Sequence, residues 1–395
     1  MAFLSRAVYE ARLSSMRQLM DDQRLDAIGF LTPEYFQWAT NYSLDVRPWE
    51  RPVAVMVPRS GEPFAVMHEL STNHLRMATE RHSLWLSDIS LYSEHIRVSN
   101  RLHLIHQWPE LMAMQLRQHG LAAARVGLDT GGGPMATVPG LLPRLQLVPM
   151  EPTLRSLRFV KHPEELDLLR AGGNLSDWGQ ERFRIEVRPG RLVAEIDLSV
   201  TAQLVQEAAA RFPGEQIEIT CKSLSGPSSA APHGSGAETG ARVAEGHVMV
   251  ICVFVRANGL MVENERTWFC GKPSDEQQRA FDVACEAQRA AIAELVPGRP
   301  VCAFDAAALQ VFERCGYADH VIHRTGHGVG LAGHEFPDDT AFNQRPLEAN
   351  EVFSAEPGIY IFGVGGFRHD DTVIVSDPPE TVTHHPKDIA SQTIA

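Results

Sequence analysis

The sequence predicts a mixed α/β protein of two domains, and three observations lead there. At 395 residues the chain is long enough to build two separate cores. Its first 150 or so residues alternate short β-rich runs with helical patterns, the mark of an α/β domain. In the second half, Asn258-Gly259 joins two long β-rich runs, 250–257 and 260–269, and this dipeptide tolerates the positive φ angles of a type I′ hairpin.

Taken in order, residues 5–23 place Ala7, Leu13, Met16, Leu19 and Met20 at helical spacing and open the chain with an amphipathic helix. Residues 25–31, 53–57 and 63–67 read as buried strands, the last two joined by a turn at 59–62. Residues 108–119 are helical and 126–129 strand-like. The loop 42–52 is rich in Asp, Arg, Pro and Trp, and on these residues alone it reads as a solvated connection. A boundary falls near residue 155, dividing the chain into domains 1–155 and 156–395. Pro163 followed by Glu164 and Glu165 suits a helix start, where proline costs no hydrogen bond and acid meets the positive end of the dipole. Helical stretches at 163–185, 194–211, 274–295 and 303–315 then alternate with strand pairs.

Composition excludes several classes. Lys and Arg number 36 against 49 Asp and Glu, for a net charge of −13 with no basic block, so nucleic acid and anionic membrane are poor partners. No apolar run approaches the roughly 18 residues of a membrane span. The first residues lack the apolar core of a secretory signal, and a cytoplasmic protein is expected. Six cysteines (221, 252, 270, 285, 302 and 315) form no Cys-x-x-Cys pair and are expected as reduced thiols.

Chemistry concentrates on the hairpin. A two-residue turn pairs Ala257 with Leu260, which sets Cys252 opposite Glu265 and leaves Glu263 a diagonal neighbour on the same face. Carboxylates two apart in so apolar a run face either water or a site. His233 lies in the small-residue loop Ala230-Ala231-Pro232-His233-Gly234-Ser235-Gly236. His327 sits in Gly326-His327-Gly328-Val329-Gly330, with His334 seven residues on. Then come Ala355-Glu356-Pro357-Gly358 and Arg368-His369-Asp370-Asp371, whose two aspartates are either site residues or exposed charges.

In order and spacing these motifs resemble the pita-bread family of creatinase, aminopeptidase P, prolidase and methionine aminopeptidase. The resemblance implies an N-terminal ribonuclease H-like α/β domain followed by a pita-bread catalytic domain. The five metal-ligand positions of the family's peptidases hold Cys252, Glu263, His327, Glu356 and Asp370. A thiol cannot bridge two ions as a carboxylate does, and Glu263 is one methylene longer than aspartate. Creatinase, the metal-free member, likewise carries a cysteine at the first place and an acid before Arg-Thr, as in Glu265-Arg266-Thr267. The expectation is therefore a metal-independent, creatinase-like hydrolase with no cofactor, cleaving a C–N bond of a small guanidino, amidino or cyclic amide compound. His233 would shuttle protons, Glu265 and Glu356 would grip the substrate, and Cys252, Glu263, His327, His334 and Asp370 would line it. Asp338 stands where creatinase has an arginine, so creatine itself is expected to turn over poorly.

Two alternatives stay open. One is a divalent-metal Xaa-Pro aminopeptidase or prolidase using Cys252, Glu263, His327, Glu356 and Asp370, or a single zinc on Cys252, His327 and a carboxylate. The other is a non-catalytic peptide-binding module. By the same resemblance the protein is a homodimer in which Trp49 and Arg51 reach the partner's site, an arginine to clamp a carboxylate and a tryptophan to stack on a flat cation.

Overall fold

A computed structural model describes residues 4–93, 107–234 and 236–394. Ser235 of the His233 loop and residues 1–3 of the expected signal-free start lie outside the described residues. The chain divides into two compact units between Arg158 and Phe159.

The N-terminal unit is a six-stranded mixed sheet with helices. Its elements are α1 (Arg6–Gln23), β1 (Ala27–Phe30), α2 (Pro33–Thr40), β2 (Ala54–Pro58), β3 (Phe64–His68), α3 (Thr72–Glu80), β4 (Asp88–Tyr92), α4 (Gln107–Gln118), β5 (Arg125–Leu128) and β6 (Gln146–Pro149), and a one-turn helix α5 (Glu151–Leu154) follows. The strand order is β4-β3-β2-β1-β5-β6. β1, β2 and β3 pair antiparallel, while β4, β5 and β6 join in parallel. β1, β2 and β3 are buried throughout, which is why they read as unbroken apolar runs. The edge strand β4 escaped the sequence reading because Asp88, Ser90 and a half-exposed face interrupt its apolar residues.

One polar residue ties this sheet to a helix. Asp129, buried just past β5, accepts hydrogen bonds from Leu31 N, Thr32 N (2.8 Å) and Thr32 Oγ1 (2.7 Å), and so caps the start of α2 from a neighbouring strand. Asp129→Ala leaves those buried donors unmatched, and it is expected to cost about 1–3 kcal/mol in urea unfolding. A loss inside experimental error would show that water replaces the carboxylate.

The C-terminal unit begins with α6 (Pro163–Glu186). His162 Nδ1 accepts from Glu164 N while Glu165 reaches back to His162 N (2.8 Å), a reciprocal cap that uses the acidic pair anticipated there. Then follow α7 (Val193–Arg211), β7 (Ile217–Ser225), the hairpin of β8 (Val248–Ala257) and β9 (Leu260–Cys270), α8 (Asp275–Ile292), α9 (Cys302–Cys315), β10 (Val352–Ala355), β11 (Gly358–Ile361), β12 (Gly365–Arg368) and β13 (Asp370–Ile374). The main path of the curved sheet is β10-β13-β9-β8-β7, and β11 pairs with β12 beside it. This is the pita-bread catalytic fold.

Strand alternation sorts the hairpin's side chains. Met249, Ile251, Val253 and Val255 pack with Leu175, Phe183, Val200 and Leu204 of α6 and α7. Val250, Cys252 and Phe254 therefore face the opposite side. On β9 the helix-facing positions include polar residues. Asn264 donates to Ser176 Oγ and Asp177 Oδ1, and Gln180 of α6 donates to the carbonyls of Ile251 and Asn264 at 3.0 Å. Glu263 and Glu265 alternate with them onto the site face.

His385 carries the clearest pH signature outside the site. Burial, with Arg266 nearby, lowers its pKa to about 4, against weaker opposition from Asp177 and Glu181. The folded state keeps the ring neutral while the unfolded chain takes up a proton below about pH 6.5. Stability therefore falls as pH drops from about 6.5 to about 4, by up to about 3 kcal/mol, and the loss from this group levels off below. His385→Gln is expected to flatten that window in melting curves, and an unchanged slope would assign the effect elsewhere.

Candidate metal centre

The hairpin turn has the geometry read from the sequence. Asn258 and Gly259 take φ of 47° and 92°, and the register sets Cys252 against Glu265 and Phe254 against Glu263. β13 lies on the other edge of β9 and brings Asp370 opposite Glu265. The segment 325–329 runs beside β10: Ser354 N donates to His327 O (2.9 Å) and Glu356 N to Thr325 O (2.7 Å). That approach needs glycine, since a Cβ at Gly326 would stand 2.0 Å from Ser354 O and one at Gly328 2.5 Å from Phe336 O. His327 and Glu356 are thereby delivered to one place.

There His327 Nδ1 lies 3.0 Å from Gly328 O, which can only accept, so Nδ1 carries a proton and Nε2 is the nitrogen turned towards the carboxylates. Nε2 is 3.4 Å from Glu356 Oε1 and 3.6 Å from Glu263 Oε2, fully buried and without a hydrogen-bond partner. Asp370 Oδ1 accepts from Ala355 N at 3.2 Å, while its buried Oδ2 has no partner. Asp370 is 1% exposed and Asp371 0%, so neither is a solvated charge. Asp371 points to the other face, into an ion pair with the equally buried Arg266 (2.8 Å) and a close contact with Lys387.

The electrostatics are those of an anionic site short of cations. Burial raises Asp370 well above the usual carboxyl range, with Glu356, Glu263 and Glu265 adding repulsion. Burial likewise raises Glu263, which His327 only partly offsets. Burial opposes charge on Glu356 too, but His327 and Arg368 outweigh it and hold that carboxyl low. His327 shows the mirror image, burial disfavouring its cation while Glu356 and Glu263 raise it. Cys252 is a buried thiol whose pKa burial and Glu265 push well up.

Among the described residues, two groups have donor atoms within 4.8 Å of one another: Glu263 with His327 and His334, and Glu265 with Glu356 and Asp370. Cys252 belongs to neither, so the zinc arrangement on Cys252 and His327 is not formed. The residues passed over in the sequence are Arg368, Tyr360 and His323. Arg368 contacts both oxygens of Glu265, and its Nη1 donates to Tyr360 Oη at 3.2 Å. His323 Nδ1 faces Arg324 O, so its Nε2 accepts from the Tyr360 hydroxyl at 2.7 Å. Arg368 stands in the Arg-His-Asp-Asp motif, and an arginine two residues before a candidate ligand was the available signal.

His334 is exposed and stacks on His327 with ring centroids 3.8 Å apart. Burial of its ring face and the neighbouring His327 charge lower its pKa to about 4. His233 is also exposed, its ring 6.4 Å from those of His323 and His334. Trp49 and Arg51 belong to the N-terminal unit, in an irregular stretch after α2. Trp49 is 81% exposed, and Arg51 pairs with Glu50 at 2.7 Å.

Residues 167–377 match the model of metallopeptidase family M24. The chain belongs to that family. Residues 12–160 match the creatinase/prolidase N-terminal domain. A probable dipeptidase PepE of Mycobacterium tuberculosis is 32% identical over 272 residues, 66% of this chain and 69% of that protein. An Xaa-Pro dipeptidase of Lactobacillus helveticus is 27% identical over 393 residues, 95% and 98% of the two. The crystal structure of dipeptidase PepE from Mycobacterium ulcerans superposes with a TM-score of 0.81 at 26% identity, covering all of both chains.

These findings overturn the expectation of a cofactor-free site. The family is one of metallopeptidases, and the donor set answers to a divalent ion. His327 Nε2 faces Glu263 and Glu356, and Asp370, with an unpartnered oxygen, falls in one donor group with Glu356, an N/O set suited to manganese, cobalt or zinc. Neither the thiol of Cys252 nor the extra methylene of Glu263 prevents this, because Glu263 and Glu356 both face His327 Nε2 without help from the thiol. Glu265, expected to grip substrate, is occupied by Arg368. Among the described residues, no helix is long and apolar enough to cross a membrane.

Proposed function

We propose that this M24 hydrolase is a divalent-metal-dependent peptidase of small substrates, a dipeptidase with Xaa-Pro dipeptides among them. The observation that carries the reading is the buried convergence of His327 Nε2, Glu263, Glu356 and Asp370. The full-length similarity to dipeptidases supports the substrate class.

An ion bound by these four residues would supply a Lewis acid that polarises the peptide carbonyl and acidifies a water molecule. The chain's own residues do the rest. Glu356 would give one carboxylate oxygen to the ion and receive the water's proton on the other. His233, exposed beside His334, passes a proton to the leaving nitrogen, the shuttle role anticipated for it. His334, stacked on His327, fixes that ring's plane. Arg368, held by Tyr360 and Glu265, keeps a positive charge next to Glu356. As part of the same proposal the protein works as a cytoplasmic homodimer, with Trp49 and Arg51 binding substrate in the partner's site.

The test is a panel of Xaa-Pro and Xaa-Xaa dipeptides, offered to protein stripped with chelator and then reloaded with Mn(II), Co(II) or Zn(II). Hydrolysis that appears only on reloading and disappears in Glu356→Ala supports the proposal. Full hydrolysis by the stripped protein would refute it. Arg51→Ala is expected to raise KM with kcat preserved, and an unchanged KM would remove the loop from the substrate site.

A further inference from the structure

We propose that Gln288 is a positioning residue of the metal centre, fixing the backbone from which both Glu356 and Asp370 project. The inference rests on the metal-dependent reading and assigns part of the ion's affinity to a side chain that does not touch it.

Gln288 lies on the core face of α8, at helical spacing with Phe281, Ala284 and Ala291, and it is wholly buried. A glutamine in such company costs free energy unless its polar atoms are matched. Here all of them are. Nε2 donates one N–H to Ala355 O at 2.8 Å and the other to His369 O at 3.0 Å, and Oε1 accepts from Lys387 Nζ at 2.8 Å. The amide cannot be turned over, because that would set Oε1 against two carbonyl oxygens and Nε2 against an ammonium.

These bonds hold the place where two strand pairs part. Ala355 ends β10 opposite Asp371, and Gly358 opens β11 opposite Arg368. Over the two residues between, the ladder of β10 and β13 gives way to that of β11 and β12, and neither fixes the spacing of the two chains. Glu356 and Asp370 stand in that gap, each directly after a residue whose carbonyl Gln288 holds. The N–H of Ala355 goes to Asp370 Oδ1 at 3.2 Å, which ties the two segments from the site side as well. One side-chain amide thus sets how far apart the two acids start. Both belong to one donor group, and a metal ion tolerates errors of only about 0.2 Å in its ligand distances.

The same device recurs on α6. Gln180, also wholly buried, donates to the carbonyls of Ile251 and Asn264 and accepts from Trp268 Nε1 at 3.1 Å. Asn264 lies between Glu263 and Glu265, so each of the two helices places a buried amide behind a pair of acids.

Ion affinity tests this. Full-length protein is stripped of metal and titrated with MnCl2 by calorimetry, as wild type, Gln288→Met and Asp129→Ala. Methionine keeps the volume of glutamine and removes both N–H donors. Gln288→Met is expected to weaken Mn(II) binding by about tenfold or more and to broaden the Mn(II) paramagnetic resonance signal. Asp129→Ala, destabilised from the N-terminal unit, is expected to bind as the wild type does, which separates positioning from general loss of stability. A loss smaller than about threefold in Gln288→Met would overturn the inference and leave the peptidase reading standing, as would an equal loss in Asp129→Ala. Should Gln288→Met fail to fold, Lys387→Met decides, since it removes the partly exposed ammonium that orients the amide. A loss of about threefold or more there supports the inference, and a smaller one overturns it. A wild type that binds no Mn(II) would overturn both proposals.

Discussion

His327→Ala is expected to abolish tight divalent-ion binding and to lower kcat/KM by about a thousandfold or more, since a metal ion contributes several kcal/mol to transition-state charge stabilisation. The reason is positional. Nε2 is a buried nitrogen aimed among the carboxylates, while Nδ1 carries a proton to Gly328 O. Removing it leaves Glu263, Glu356 and Asp370 as an all-carboxylate group without the imidazole that balances them. The measurement pairs metal content with dipeptide hydrolysis in one preparation. A variant retaining both within about tenfold of wild type would place the ion elsewhere.

Arg266→Leu is expected to cost about 3–5 kcal/mol in global stability, the range for removing one partner of a buried ion pair. Arg266 and Asp371 are both wholly buried. Arg266 also donates to the carbonyls of His385 (3.0 Å), Glu265 (2.8 Å) and Asp370 (2.9 Å), linking β9, β13 and the C-terminal segment. Its loss leaves Asp371, held below the ordinary carboxyl range by Arg266 and Lys387 despite burial, with Lys387 and the Thr383 hydroxyl (2.7 Å). The denaturant midpoint should fall with the slope unchanged, and a midpoint shift worth less than about 1 kcal/mol would mean that Lys387 suffices. Because Arg266 grips the backbone of Glu265 and Asp370, metal affinity should weaken in the same variant.

The hairpin shows how far the sequence could be read. Asn258-Gly259 specified the turn, the turn specified the register, and the register placed Cys252 opposite Glu265, because side chains in a strand alternate with a period of two. The four convergent donors were likewise legible as motifs in order. The thiol of Cys252 and the extra methylene of Glu263 pointed away from a metal, but neither decides the whole site. A thiol at one position says little about a centre whose other donors come from four more places in the chain.

By itself, then, the sequence determined the α/β class, the helices of the catalytic half and the hairpin, which are local patterns of spacing and turn chemistry; the candidate donors came instead from the order of motifs that resembles the family. Only the tertiary structure decided which acids are buried, which face Asp370 and Asp371 each take, and that Arg368 closes on Glu265. Those outcomes depend on strands over 100 residues apart in the chain meeting on one sheet. Burial is what turns such a meeting into charge balance: in a low-dielectric interior each carboxylate must find a cation, and the nearest cation is chosen by the fold.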